Sequence, residues 1–168
     1  MSGVPSIERL FVSPGHNFRG RYGQEPLEHP LIEVDEVECV AGRGLRGDRY
    51  FDHAPDFKGQ ITFVARETLE RLWDELAIPA ERRDIAATRR NVVTAGIDLL
   101  ALIGREFTIG GVRFLGTEEC KPCSWMDHAI GDGAEVRLRG QGGLRARILS
   151  DGRLRTGPVG PSDAEPLP

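Results

Sequence analysis

The chain has 168 residues, 39% of them hydrophobic and 29% charged, with a net charge of −4. That balance suits one globular domain with a proper core and carries no general nucleic-acid signal. No run approaches the roughly 18 to 20 apolar residues of a membrane span.

Strand signals dominate in chain order. Residues 7–12 form a short predicted strand, and residues 31–41 form another, with Ile32, Val34, Val37 and Val40 spaced by acids. Gly42-Arg43-Gly44-Leu45-Arg46-Gly47 matches the glycine pattern of a dinucleotide loop. That pattern must open a helix, however, and the following residues 48–55 have no helical period and end in Pro55. A tight arginine-bearing loop between strands fits better, with Arg46 or Arg49 available to an anion. Residues 60–64 read as a compact strand.

From Arg66 to Ala77, the residues Leu69, Leu72, Trp73 and Leu76 recur on one helical face. Pro79 ends that helix or opens a short one running to Ile85. Asp98 caps a brief helix over residues 99–103, closed by Gly104. Residues 106–109 and 112–115, joined by Gly110-Gly111, predict a hairpin. Ala134 to Arg139 alternates apolar residues with arginine in a strand-like way. Residues 144–149 and 153–155 predict a second hairpin. Residues 13–30 read as a long loop, and the tail from Gly157, with four prolines, reads as poorly ordered.

Three features carry chemistry. Arg89, Arg90 and Asn91 precede a short strand; strand alternation would aim Arg89 and Asn91 together, with Arg90 opposite. All cations but Lys58 and Lys121 are arginines, whose fork suits phosphate. Arg137, Arg139, Arg145, Arg147, Arg153 and Arg155 alternate along the C-terminal region and call for acidic partners or plain solvation.

The third feature is Cys120-Lys121-Pro122-Cys123. Two thiols sit three positions apart with an ammonium between them, which favours the thiolate. The pair allows half of a zinc site, completed from His16, His53, His128 and Cys39. It also allows a redox pair, or a single nucleophile or soft-metal ligand with a bystander. Inert buried thiols are the fourth reading. Three cysteines, two of them close together, argue against a secreted disulfide scaffold and for a cytoplasmic protein. The N-terminal residues 1–5 show no signal-peptide blocks.

These pieces, in this order, resemble the MOSC domain, the family named for the C-terminal domain of molybdenum cofactor sulfurase. The matching residues are Gly44-Leu45-Arg46-Gly47-Asp48-Arg49-Tyr50, Gln60-Ile61-Thr62, and Arg89-Arg90-Asn91-Val92-Val93-Thr94-Ala95-Gly96. Phe107-Thr108-Ile109-Gly110, Cys120-Lys121-Pro122-Cys123 and Gly140-Gln141-Gly142-Gly143-Leu144-Arg145-Ala146 follow. The likeness runs from about residue 5 to 157.

The resemblance implies a mainly β fold, a β-barrel with a few short helices. It implies one domain over residues 1–157 and a disordered tail over residues 158–168. Cys123 corresponds to the family's characteristic cysteine, which ligates molybdenum in some members and is proposed to carry a persulfide in others. Arg89 and Asn91 correspond to positions that contact the pterin cofactor and its phosphate. Arg49 supplies a further cation, and Lys121 joins the cofactor-binding set.

The implied function is binding of the molybdenum cofactor, molybdopterin, and molybdenum-dependent reduction of N-hydroxylated small-molecule substrates with an outside electron-donor protein. Two alternatives are a sulfur carrier charged on Cys123 by a partner cysteine desulfurase, and a non-catalytic anion-binding module. No pyridoxal phosphate, nucleic acid or membrane partner is expected.

Overall fold

The computed structural model describes residues 3–17, 24–160 and 162–168. The strands are β1 (Ser6–Val12), β2 (Ile32–Val34), β3 (Glu36–Val40), β4 (Gly44–Leu45), β5 (Ile61–Ala65), β6 (Val92–Ala95), β7 (Glu106–Ile109), β8 (Val112–Glu119), β9 (Leu144–Ile148), β10 (Gly152–Arg155) and β11 (Gly157–Pro158). The α-helices are α1 (Arg66–Glu75), α2 (Trp125–Ala129) and α3 (Ala134–Leu138). Short 3-10 turns cover Ala80–Arg82 and Leu100–Leu102. The second is capped as expected, with Asp98 Oδ1 accepting from Ala101 N. Among the described residues no helix is long and apolar enough to cross a membrane. The predicted loop over residues 13–30 falls partly outside the described residues.

The protein is mainly β. Its larger sheet runs β11-β1-β6-β5-β9-β8-β7, with β2 also on β1, and the smaller runs β10-β3-β4. One apolar core lies within both sheets, built on Leu10, Cys39, Leu45, Phe63, Val92, Phe107, Phe114, Leu144 and Leu154. A second packs α1, α2 and α3 on the opposite face through Leu69, Trp73, Met126 and Leu138 against Phe11, Val64 and Val93. The central strands are thus covered on both faces, which is why 61–64 and 92–95 are buried continuously rather than alternately, with Thr62 and Thr94 enclosed among apolar residues.

Several sequence expectations fail for identifiable reasons. Among the described residues the strand pairing shows a mainly β fold without a closed barrel. The ladder ends at β7, whose outer side takes an isolated bridge between Phe107 and Pro166, and a proline has no N–H to extend it. The described residues of the C-terminal segment make backbone contacts with the large sheet. Gly157 and Pro158 pair with β1, while Ala164 N and Leu167 N bond Thr108 O and Glu106 O. The tail therefore runs from one end of the large sheet to the other.

Residues 31–41 are two strands that part at Asp35, one joining β1 and the other β10. Ala134–Leu138 is a helix. Ala134 and Leu138 are buried while Val136 is 60% exposed, which is i, i+4 spacing rather than strand alternation. Its first turn is fixed by Glu135 N donating to Asp127 Oδ1 at 2.8 Å. Residues 144–155 do not form a hairpin. Asp151 Oδ1 accepts from Ala41 N at 2.8 Å, drawing β10 away from β9 and onto β3.

The C-terminal arginines do find partners. Arg145 meets Glu118, Arg153 and Arg155 share Glu36, Arg137 lies near Glu75, and Arg139 lies near Glu135. Arg147 instead donates to the carbonyl of Asp56.

Candidate functional site

One transverse row of the large sheet positions the site. Val92, Phe63, Leu144 and Glu119 are register partners across β6, β5, β9 and β8. Beyond that row β6 stops, while β5 and β9 continue as the facing pair Thr62 and Arg145, with β8 still alongside through Glu118, the register partner of Arg145. The step leaves a hollow with those two residues on its floor. Its walls are residues 88–90 before β6, residues 49–50 after β4, and the 120–126 segment after β8. The enclosed volume is about 160 Å³.

Among the described residues, five cations line this hollow (Arg49, Arg89, Arg90, Lys121 and Arg145) and no carboxylate does. Arg90 donates to the carbonyls of Gly142, Thr88 and Cys120. Arg89 donates to His29 O, Gly15 O and Ser13 Oγ. Burial and the neighbouring Arg49 charge push the pKa of Arg89 down to about 10. Its cation thus sits half-buried on neutral acceptors, an arrangement an incoming anion would relieve.

Arg49 donates to Asp48 Oδ1 at 3.1 Å and to Arg89 O at 3.3 Å. Its Nε is buried without a partner, and so is the hydroxyl of Thr88. Both residues face the hollow, so two buried polar groups there are left for a ligand or water to satisfy.

The structure separates Asn91 from Arg89, against the alternation argument. Arg89 adopts φ 56°, a left-handed conformation that breaks the strand repeat just before β6. Arg89 and Arg90 consequently both line the hollow. Asn91 is 1% exposed and turns inward. Its Oδ1 accepts from Thr62 N and Thr62 Oγ1, completing β5 where β6 has ended. Its Nδ2 donates to Phe11 O and Asp48 Oδ1. Both donors and both lone pairs are used, so Asn91 supports the site from below.

The cysteines divide sharply. Cys123 is exposed, Cys120 is 3% exposed, and both border the hollow. Cys39 is fully enclosed in the core, where burial pushes its thiol up to about 12. The backbone at Cys120 is clamped: its N–H donates to Gly143 O at 2.8 Å and its carbonyl accepts from Arg90 Nη2 at 2.9 Å. Gly142 has no room for a Cβ, which would overlap the Cys120 carbonyl oxygen.

Arg145 faces the Cys120 sulfur. Burial works to lower the Arg145 pKa, but Cys120 and Glu118 together hold it above its usual value. Tyr50, Phe57 and Trp125 add aromatic surface. Trp125 is fixed by Nε1 donating to Ala87 O at 2.8 Å, and the Arg89 guanidinium lies 5.9 Å from its ring centre.

Cys123, Arg49, Arg89 and Lys121 are therefore brought together as the sequence suggested, and Asn91 is not. Arg46 is spent on Glu38 at 2.6 Å. Arg145, Arg90 and Thr88 are site residues that sequence reasoning passed over. On β9 the alternation Leu144, Ala146, Ile148 inward does put Arg145 on the other face, but nothing local says that this face is the hollow. Among the described residues no three of His, Cys, Asp and Glu gather as a protein-only metal site. The cysteine pair does follow a strand and precede a helix. Both neighbours of that strand are antiparallel to it, which is not the parallel setting of a thioredoxin-like motif.

Comparison with known proteins bears on the whole chain. The MOSC domain family model matches residues 48–159. The crystal structure of YuaD from Bacillus subtilis superposes with a TM-score of 0.69 at 18% identity, covering 92% of this chain and 93% of that one. YiiM from Escherichia coli gives 0.62 at 16%, covering 94% and 70%. YiiM from Geobacillus stearothermophilus gives 0.64 at 16%, covering 92% and 73%. At these identities the likeness is one of fold. Among curated proteins no match was found.

Proposed function

We propose, from the premise that this chain belongs to the MOSC domain family, that it binds the molybdenum cofactor with Cys123 as the protein ligand to the metal. The observation that carries the reading is an exposed thiol on a hollow that, among the described residues, is lined by five cations and no carboxylate. A soft thiolate suits a soft-ligand metal, and the surrounding guanidiniums suit an anionic cofactor. A single cysteine is a sufficient protein donor where the remaining ligands come with the cofactor.

When bound, that group would supply the two-electron redox centre for reducing N-hydroxylated small molecules, with electrons from a partner protein. This chain's own residues do the holding. Arg49 Nε and Thr88 Oγ1 offer buried hydrogen-bonding capacity, and Arg89 offers a cation with no acid of its own. Lys121, beside Cys123, adds a further cation to the lining. Asp48 and Asn91 hold Arg49 in place from beneath. The enclosed 160 Å³ is smaller than typical cofactor pockets of about 300 to 1,000 Å³. The hollow therefore takes the anionic end of the cofactor and leaves the remainder in the open mouth. A barrel completed by the C-terminal segment and a cytoplasmic setting that keeps all three thiols reduced belong to the same proposal.

The test is elemental analysis of chain produced in a host that makes the cofactor. Near-stoichiometric molybdenum is expected, falling at least about tenfold in Cys123→Ser, since even outer-shell changes cost metal sites that much. Metal-free wild type from such a host would sink the proposal.

Exposure of Cys123 favours a second reading, in which a partner cysteine desulfurase charges it with a persulfide. Mass spectrometry after incubation with a desulfurase would then find one added sulfur on Cys123, and none in Cys123→Ser.

A further inference from the structure

The role proposed above uses only one of the two thiols on the hollow. Cys120 remains unexplained: it is 3% exposed, its sulfur faces the Arg145 guanidinium, and it lines the same small space as Cys123. That space is only about five water molecules' share of liquid volume. Arg145 is itself held by Glu118 Oε1 at 3.0 Å, and Glu118 also takes Lys58 at 3.0 Å. The clamp from Gly143 and Arg90 fixes the Cys120 backbone. By contrast, the structure records no backbone N–H bond for Lys121 or Cys123. One thiol is thus anchored beside a cation and the other is carried on the open side of the same loop.

We infer that Cys120 is a second nucleophile of this site, which resolves sulfur adducts on Cys123 by forming a Cys120–Cys123 disulfide. The substrate class is a low-molecular-weight disulfide or a persulfide. With a disulfide RSSR, the Cys123 thiolate attacks one sulfur, a Cys123–SR bond forms, and RS⁻ leaves. The Cys120 thiolate then attacks Cys123 Sγ. The Cys120–Cys123 bond forms as the Cys123–SR bond breaks, and the electron pair departs on a second RS⁻. The protons of the two thiols pass through water to the two RS⁻ groups. Two cysteine thiols become one disulfide, and RSSR becomes two RSH. On a Cys123 persulfide the same attack expels hydrosulfide.

The Arg145 guanidinium acts by holding the Cys120 side chain toward the hollow. Because the disulfide occupies the Cys123 sulfur, the closed form cannot ligate a metal, so loading of the site answers to thiol redox state. The inference does not depend on molybdenum being the ligand. It needs only that Cys123 be reachable.

The experiment uses the full chain, reduced, freed of small thiols and treated with glutathione disulfide, followed by mass spectrometry and non-reducing peptide mapping. Wild type is expected to pass through a glutathione adduct on Cys123 and close to a Cys120–Cys123 disulfide. Cys120→Ser and Cys120→Ala should form the adduct at the wild-type rate and retain it. Arg145→Met should slow closure of the adduct to the disulfide severalfold. Cys39 should stay unmodified throughout. Wild type that retains the adduct as the Cys120 variants do, or that pairs Cys123 between chains instead, overturns the proposal. Because no metal enters the assay, its failure is separable from failure of the cofactor reading.

Discussion

The small sheet and the hollow use the same residue types to opposite ends. Around β3, Cys39 is sealed in apolar packing, while Arg46, Arg153 and Arg155 are each matched to Glu38 or Glu36. Around the hollow, Cys120 is almost as buried, yet it meets a guanidinium, and Arg89 and Arg90 bond neutral oxygens instead of acids. Burial does not make a thiol inert, and an arginine does not make an anion site. What differs is whether charge is compensated. On the small sheet every named cation has its acid. In the hollow Asp48 serves Arg49 from below and Glu118 serves Arg145, while Arg89, Arg90 and Lys121 line it with no ion pair among the described residues.

Four measurements press on that contrast, beginning with the largest expected effect. Asp48 has a fully buried side chain that accepts from Ser13 N, Arg49 Nη1, Tyr50 N and Asn91 Nδ2. Replacing it with alanine strands a buried guanidinium, and urea denaturation should show a loss of about 3 to 5 kcal/mol. A loss under about 1 kcal/mol would mean that the hollow tolerates uncompensated charge.

Cys39→Ser puts a hydroxyl into the core and should cost about 1 to 3 kcal/mol. Cys123→Ser, at the surface, should stay within about 0.5 kcal/mol of wild type. Equal costs would erase the distinction between the two thiol environments.

Alkaline titration separates them in another way. The Cys39 thiol is raised in the fold from 9.0 to about 12. Between those values the unfolded chain releases a proton that the folded chain keeps. Its contribution is therefore complete below pH 9 and is lost as pH climbs toward 12. Wild type should lose about 1.4 kcal/mol per pH unit in that window relative to Cys39→Ser. Parallel stability curves for the two proteins would refute the assignment.

The smallest effect belongs to the paired surface. Glu38→Gln, which breaks an ion pair whose partners are 37% and 54% exposed, should cost about 0.2 to 1 kcal/mol and leave thiol labelling unchanged.

The amino-acid order alone specified most of the secondary structure and the chemistry at stake. Leu69, Leu72 and Trp73 on one face made α1 legible, and the Gly110-Gly111 pair made the β7–β8 hairpin legible. Cys123, Arg49, Arg89 and Lys121 were nameable because their residue types announce reactivity wherever they fold. The tertiary structure decided the rest, since it depends on pairings with no local trace. One left-handed residue at Arg89 turned Arg90 into the hollow and Asn91 into the sheet. Asp151 drew β10 onto β3 by accepting from the N–H of Ala41, 110 positions away. Arg145 and Cys120 came to line one hollow because β8, which pairs with Arg145 through Glu118, ends at Glu119 just before Cys120. Periodicity and propensity act over a turn or a strand, whereas compensation of charge is settled between segments that meet only after folding.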